Sequence, residues 1–152
     1  MRYCFFDAMP EQIPGKILLV DDDAEVANIL RLAMPEYEIR LVPDAESAMT
    51  TAPEFDPDLF ILDLVLPGMR GTSLALLLRD SPQFVKTPIF LLSGLIEPAT
   101  VDGEPVRVNG LTAFSKPFRV GVLQKHIALH LQGLESGREA VDRLQPGYIS
   151  GD

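Results

Sequence analysis

The sequence predicts one α/β domain in which a doubly wound, five-stranded parallel sheet is covered by helices on both faces. Short apolar runs that each end in a polar residue alternate with segments of helical spacing, and right-handed crossovers would place those helices on both sides. The chain has 152 residues and 47% hydrophobic content, which suits a single domain with a sizeable core. The predicted architecture is therefore a three-layer sandwich.

Five segments are predicted as strands. Three of them are apolar runs, buried on both faces: Ile17 to Val20, Leu59 to Leu62 and Ile89 to Leu92. A further strand, Tyr37 to Val42, alternates polar and apolar residues as an exposed edge of a sheet would. Leu111 to Ser115 supplies the fifth strand.

Helical spacing of apolar residues predicts the intervening helices. The first contains Val26, Ile29, Leu30 and Ala33, the second runs from Pro43 to about Thr51, the third contains Leu74, Leu77 and Leu78, and the last spans Phe118 to Leu134. The fourth helix, between Glu97 and Gly110, is predicted to be short or mobile because two prolines and two glycines interrupt that segment.

The chain is predicted to have three parts. Residues 1–15 form an N-terminal extension, residues 16–134 form the domain, and residues 135–152 form a C-terminal tail or linker. In the tail, Ser136 and Glu139 have the capping-box spacing of a further short helix.

Composition excludes several classes of function. Thirteen Lys and Arg against twenty-two Asp and Glu give a net charge of −9, which repels nucleic-acid phosphates, so direct nucleic-acid binding is not expected. No apolar run approaches transmembrane length, and no signal peptide is evident, so we expect no membrane insertion and a cytoplasmic location. A lone Cys4 excludes an internal disulfide.

Polar residues follow the predicted strands at one edge of the sheet: Asp21, Asp22, Asp63, Ser93 and Lys116. Ligands of open parallel sheets bind beyond the carboxyl ends of the strands. Three carboxylates gathered there would repel one another unless a cation binds, and Mg²⁺ prefers such oxygen ligands and bridges them to phosphate. Phosphoryl transfer then assigns Asp63 as nucleophile, with Ser93 and Lys116 stabilising the transferred charge.

The motifs that carry these residues resemble the receiver domain of two-component response regulators, including the chemotaxis regulators. They are Lys-Ile-Leu-Leu-Val-Asp-Asp-Asp from Lys16 to Asp23, Asp-Leu-Val-Leu-Pro-Gly-Met from Asp63 to Met69, Leu92-Ser93-Gly94 and Ser115-Lys116-Pro117-Phe118. The match spans roughly residues 16 to 134. The resemblance implies a flavodoxin-like sandwich with strand order 2-1-3-4-5.

The resemblance also implies the role of each site residue. Asp63 would accept a phosphoryl group from a sensor histidine kinase or phosphotransfer protein, and the modified domain would act on an unknown downstream protein. Such a domain catalyses only its own phosphotransfer and slow autodephosphorylation and is otherwise not an enzyme. The implied Mg²⁺ ligands are Asp22 directly, Asp21 directly or through water, Asp63, and Val65 through its backbone carbonyl.

Three further residues have implied roles. Ser93 would bond the phosphoryl group, Lys116 would pair with Asp63 and later with the phosphate, and Pro117 would follow a cis peptide bond. Asp23 is expected to cap the first helix instead.

One position departs from the family pattern. The aromatic switch residue of the family stands three places before the lysine, where this chain has Ala113. Phe114 follows it and, by strand alternation, is predicted on the opposite face of the sheet. The usual aromatic coupling of the pocket to an output surface is therefore not expected, although the chemistry at Asp63 does not depend on it.

Alternative functions fit the residues less well. A phosphohydrolase with an aspartate nucleophile needs a second acid two residues after Asp63, where Val65 stands. A nucleotide or flavin binder needs a Gly-rich or hydroxyl-rich loop after the first strand. A degenerate receiver that serves only as a scaffold would not need the acidic pocket, the hydroxyl and the lysine together.

Other residues have structural explanations. His126 and His130 have a spacing that can hold zinc, but without a third ligand we expect them to pack or to be exposed. Gly68 and Gly71 are expected to serve turn geometry in the loop after Asp63.

Overall fold

The computed structural model describes residues 15–94 and 104–143, and side chains are described as far as Leu131. Cys4 and most of the predicted N-terminal extension therefore lie outside the described residues. The elements in chain order are β1 (Lys16–Val20), α1 (Ala24–Ala33), β2 (Glu38–Val42), α2 (Ala45–Phe55), β3 (Leu59–Asp63), β4 (Val65–Leu66), β5 (Met69–Arg70), α3 (Gly71–Arg79), β6 (Ile89–Ser93), β7 (Val106–Val108), β8 (Leu111–Ser115) and α4 (Val120–Arg143).

The main sheet confirms the predicted doubly wound topology. Its order is β2-β1-β3-β6-β8-β7, and the first five of these strands are parallel neighbours, so the five predicted strands take the order 2-1-3-4-5. As predicted, β2 is an edge strand with alternating burial. Strands β1, β3 and β6 are buried almost throughout because helices cover both of their faces.

The core consists of two apolar clusters, one on each face of the sheet. Helices α2 and α3 pack on the first face, and helices α1 and α4 pack on the second. Adjacent strand residues alternate between the clusters, as pleating requires, so Ala113 belongs to the first cluster and Phe114 to the second. The predicted placement of Phe114 opposite Ala113 is confirmed.

The main sheet has a sixth strand, β7, which was not predicted. It lies where part of the fourth helix was expected, so that part of the prediction is wrong. Residues 106–108 form an antiparallel edge strand paired with β8, while residues 97–103 of the expected helix lie outside the described residues. The connecting Asn109 and Gly110 have φ values of 51° and 80°. Positive φ at both central residues is typical of a tight hairpin turn, and the Asn-Gly pair is its sequence signal.

Two helices are longer than predicted. Helix α2 continues past Thr51 to Phe55, because the buried Phe55 anchors its last turn against the first core cluster. Helix α4 continues to Arg143, so residues 135–143 extend that helix instead of forming a separate one. Residues 144–152 lie outside the described residues. None of the helices in the described ranges is both long and apolar enough to cross a membrane.

Candidate functional site

The candidate site lies at the carboxyl edge of the sheet, where β1, β3, β6 and β8 end. Asp21 directly follows β1, Asp63 and Ser93 are the last residues of β3 and β6, and Lys116 directly follows β8. Hydrogen bonds hold this edge together: Asp21 N–H donates to the Val42 carbonyl at 3.0 Å, and Lys116 N–H donates to the Ser93 carbonyl at 2.9 Å. The five predicted residues therefore reach one edge because the parallel strands end in register.

A cluster of three carboxylates forms the floor of the site. One oxygen from each of Asp21, Asp22 and Asp63 lies within 4.8 Å of the others. Two oxygens bound to the same Mg²⁺ are at most about 4.2 Å apart, since each Mg–O bond is about 2.1 Å long. The three carboxylates are therefore close enough for a hard divalent cation to bind them as one ligand set.

The three carboxylates have different surroundings. Asp21 is fully buried, and its two oxygens accept hydrogen bonds from Asp23 N–H at 3.0 Å and from Lys116 Nζ at 2.7 Å. Asp22 is exposed, and its carboxylate makes no hydrogen bond to the residues that the structure describes. The neighbouring Asp23 instead caps α1 by accepting from Glu25 N–H at 2.9 Å. Asp22 is thus the carboxylate most available to a metal from solvent.

Asp63 lies between the partly buried Lys116 and the loop after β3. One of its carboxylate oxygens accepts a hydrogen bond from Val65 N–H at 3.2 Å, and the other lies 3.6 Å from Lys116 Nζ. Burial raises the pKa of Asp63, and the Asp21 charge adds to this, although the Val65 hydrogen bond and the Lys116 charge oppose it. Asp63 therefore has one oxygen held by a backbone donor and the other facing a cation.

Lys116 pairs more closely with Asp21 than with Asp63. Its Nζ is within hydrogen-bond distance of Asp21 but forms only an ion pair with Asp63. Burial lowers the pKa of Lys116, but the hydrogen bond and charge of Asp21, together with the Asp63 charge, outweigh it and raise that pKa overall. The lysine is therefore a cation at neutral pH. As predicted, the peptide bond between Lys116 and Pro117 is cis.

Gly71 is a site residue whose role was predicted wrongly. Its neighbour Gly68 has a φ of 76° and serves turn geometry as expected, whereas Gly71 is needed for close approach of two backbones. A Cβ at Gly71 would collide with the backbone carbonyl oxygen of Asp63, and Gly71 N–H donates to the Leu64 carbonyl at 2.7 Å. This contact fixes the start of α3 against the end of β3, which carries Asp63.

His126 and His130, whose spacing could hold zinc, each pack against an aromatic ring and make a hydrogen bond. The His126 ring packs edge-on against Phe114 and bonds Glu104, while the His130 ring packs edge-on against Phe90 and bonds the His126 carbonyl. These contacts are those of packed side chains. At the switch position, Ala113 is buried in the sheet and has no ring that could change rotamer.

A doubly wound sheet that gathers carboxylates, a hydroxyl and a lysine at its carboxyl edge is the arrangement of receiver domains in signalling proteins. The chain belongs to the response regulator receiver domain family, whose model matches residues 17–128. It is similar to the regulatory protein VanRB of Enterococcus faecalis, with 34% identity over 74% of this chain and 50% of that protein. It is also similar to the response regulator PleD of Caulobacter vibrioides, with 30% identity over 68% of this chain and 22% of PleD.

Solved structures show the same likeness. A putative response regulator from Chloroflexus aurantiacus has 28% identity and a TM-score of 0.66, over 79% of this chain and 99% of that one. The chemotaxis response regulator CheY4 of Vibrio cholerae has 27% identity and a TM-score of 0.63, over 76% of this chain and 98% of that one. The chain thus spans half or less of the two curated relatives but nearly the whole of both solved structures.

Proposed function

We propose that Asp63 is the phosphoacceptor of this receiver domain and that Mg²⁺ bound at Asp21, Asp22 and Asp63 is required for the transfer. The observation that carries the proposal is the convergence of these carboxylates within 4.8 Å of one another beside Lys116. The Val65 backbone carbonyl completes the proposed ligand set. The donor is a sensor histidine kinase or phosphotransfer protein, and the reaction takes place in the cytoplasm.

The transfer is a substitution at phosphorus. An Asp63 carboxylate oxygen attacks the phosphorus of phosphohistidine, the P–N bond breaks, and its electron pair returns to the ring nitrogen. The imidazole, protonated on its other nitrogen, leaves as a neutral ring. Asp21, Asp22 and Asp63 would hold Mg²⁺, which would supply positive charge to offset that of the phosphoryl oxygens.

The chain's own residues orient the reactants and hold the product. Val65 N–H fixes one oxygen of Asp63, which orients the carboxylate for attack. Lys116 lies on the side of the other oxygen, where it would bind a phosphoryl oxygen without leaving Asp21. The Ser93 hydroxyl, at the end of the neighbouring strand, would donate to a second phosphoryl oxygen. The domain then acts as a switch for a downstream protein and has no other substrate.

The metal assignment is tested by matched variants of adjacent aspartates. Asp22→Asn and Asp23→Asn each remove one negative charge, but only Asp22 is a proposed ligand, and Asn caps a helix as well as Asp does. We expect Asp22→Asn to lower Mg²⁺ affinity at least about tenfold and Asp23→Asn to change it little. Isothermal titration calorimetry measures both.

The same variants are then incubated with acetyl phosphate and followed by intact-mass spectrometry. Wild type and Asp23→Asn should gain one phosphoryl group in Mg²⁺ and none after chelation. Equal Mg²⁺ affinity in the two variants, or modification that proceeds at full rate without Mg²⁺, would contradict the proposed metal site.

A further inference from the structure

A small hairpin beside Asp63 exposes one basic residue. Strands β4 and β5 pair antiparallel, with Leu66 opposite Met69 and Val65 opposite Arg70. Leu66 is buried and Met69 packs on the first core cluster, so their shared face points inward. Directly opposite residues lie on the same face of a hairpin, which places the exposed Val65 and Arg70 side chains together on the solvent side.

The hairpin brings Arg70 close to the phosphoacceptor. Val65 N–H lies 3.2 Å from an Asp63 carboxylate oxygen. Since opposite Cα atoms in an antiparallel pair are about 4.5 to 5.5 Å apart, the Arg70 Cα is at most about 10 Å from that oxygen. An arginine side chain is long enough to cover most of this distance, so its guanidinium can reach the space above Asp63.

In the described part of the chain, the Arg70 side chain makes no polar contact that stabilises the local fold. It is the N-cap residue of α3 but makes no capping hydrogen bond, and its guanidinium forms no hydrogen bond or ion pair with the described part of the chain. A cation at a helix N-terminus is also unfavourable beside the positive end of the helix dipole. A cation that is unfavourable at the helix N-terminus and lies within reach of Asp63 points to a role in the site.

The negative charge of the site indicates what Arg70 does there. Three carboxylates and a net charge of −9 repel an anionic phosphodonor, and Lys116 is held by a hydrogen bond to buried Asp21. We propose that Arg70 is a positioning residue that attracts the phosphoryl group of an anionic donor and orients it over Asp63. The proposal rests on the function proposed above, and it assigns the entry side of the pocket to the hairpin face.

The proposal predicts two effects of opposite sign when the Arg70 charge is removed. Phosphorylation by a dianionic donor should slow, because the attraction is lost. Mg²⁺ should bind more tightly, because a nearby cation no longer repels it. In water at this separation, the Coulomb energy between the Arg70 charge and a doubly charged ion corresponds to about a fivefold change in the phosphorylation rate or in the Mg²⁺ affinity at low ionic strength. Added salt should reduce both changes. Damage to the fold of the site would weaken both processes together.

The test compares Arg70→Gln with Arg70→Lys, which keeps the charge, and with Lys86→Gln. Lys86 is exposed in the loop before β6, at the amino ends of the strands and away from the site. Lys86→Gln changes the net charge by the same amount as Arg70→Gln. The second-order rate constant for phosphorylation by acetyl phosphate is measured by intact mass at saturating Mg²⁺. In this reaction the P–O bond breaks and acetate leaves with its electron pair. Calorimetry gives the Mg²⁺ affinity.

We expect Arg70→Gln to react about fivefold more slowly and to bind Mg²⁺ about fivefold more tightly, with the other two variants near wild type. A rate equal to wild type in Arg70→Gln, or a loss of both rate and Mg²⁺ affinity, would overturn the role of Arg70 while leaving Asp63 as phosphoacceptor. Wild-type protein that takes up no phosphoryl group would count against the proposed function as well.

Discussion

Replacing Lys116 with Met should slow phosphorylation of Asp63 by two to three orders of magnitude. Lys116 is the cation held against both Asp21 and Asp63, at 2.7 and 3.6 Å, so it is already in place to receive charge from the phosphoryl oxygens. Removing one preorganised donor of this kind typically costs about 10²- to 10³-fold in rate. Time courses with acetyl phosphate, followed by intact mass, measure the effect.

The same substitution leaves fully buried Asp21 without its cation. We therefore expect metal-free Lys116→Met to be less stable, by on the order of 2 kcal/mol, than wild type. Denaturant unfolding separates this loss from the kinetic effect, because rates are compared only where both proteins are folded. A rate within tenfold of wild type would remove Lys116 from the proposed transfer chemistry.

Replacing Gly71 with Ala should damage both stability and the site. The added Cβ meets the Asp63 carbonyl oxygen, so either β3 or the start of α3 must move. Overpacking of this kind costs about 1 to 3 kcal/mol, and movement of Asp63 should also weaken Mg²⁺ binding.

Gly121→Ala is the matched control for Gly71→Ala. Gly121 lies in α4, and a Cβ built there meets nothing within 4 Å. Since Ala is favoured over Gly in helices by about 1 kcal/mol, this control should be neutral or slightly stabilising. If Gly71→Ala matched the control in both unfolding free energy and Mg²⁺ affinity, the close contact with Asp63 would have no functional consequence.

The sequence predicts the sheet well because its strands are buried on both faces. The segments Leu59 to Leu62 and Ile89 to Leu92 begin where β3 and β6 begin and end one residue before them. The site follows from the same topology, since residues that end parallel strands must share an edge. Convergence of Asp21, Asp63 and Lys116 was therefore predictable without any knowledge of their side-chain contacts.

Other features depend on contacts that a linear pattern does not contain. The preference of Lys116 for Asp21 over Asp63 is a matter of fractions of an ångström, and the need for glycine at position 71 arises only when α3 meets β3. The β7 hairpin did have a signal, the Asn109-Gly110 pair, but the prolines and glycines around it also suggested an interrupted helix. Helix α2 continues through Pro53 because the burial of Phe55 outweighs the poor helix propensity of proline.

The position of the phosphoryl group tests the proposed function most directly. Protein treated with acetyl phosphate and Mg²⁺ is digested, and the modified peptide is identified by tandem mass spectrometry, for wild type, Asp63→Asn and Asp80→Asn. Asp80 is an exposed aspartate at the far end of α3 and controls for loss of one carboxylate. Modification of Asp63 in wild type and Asp80→Asn, with none in Asp63→Asn, is the predicted result. A phosphoryl group that appears at full level in Asp63→Asn would contradict the assignment of Asp63 as the phosphoacceptor.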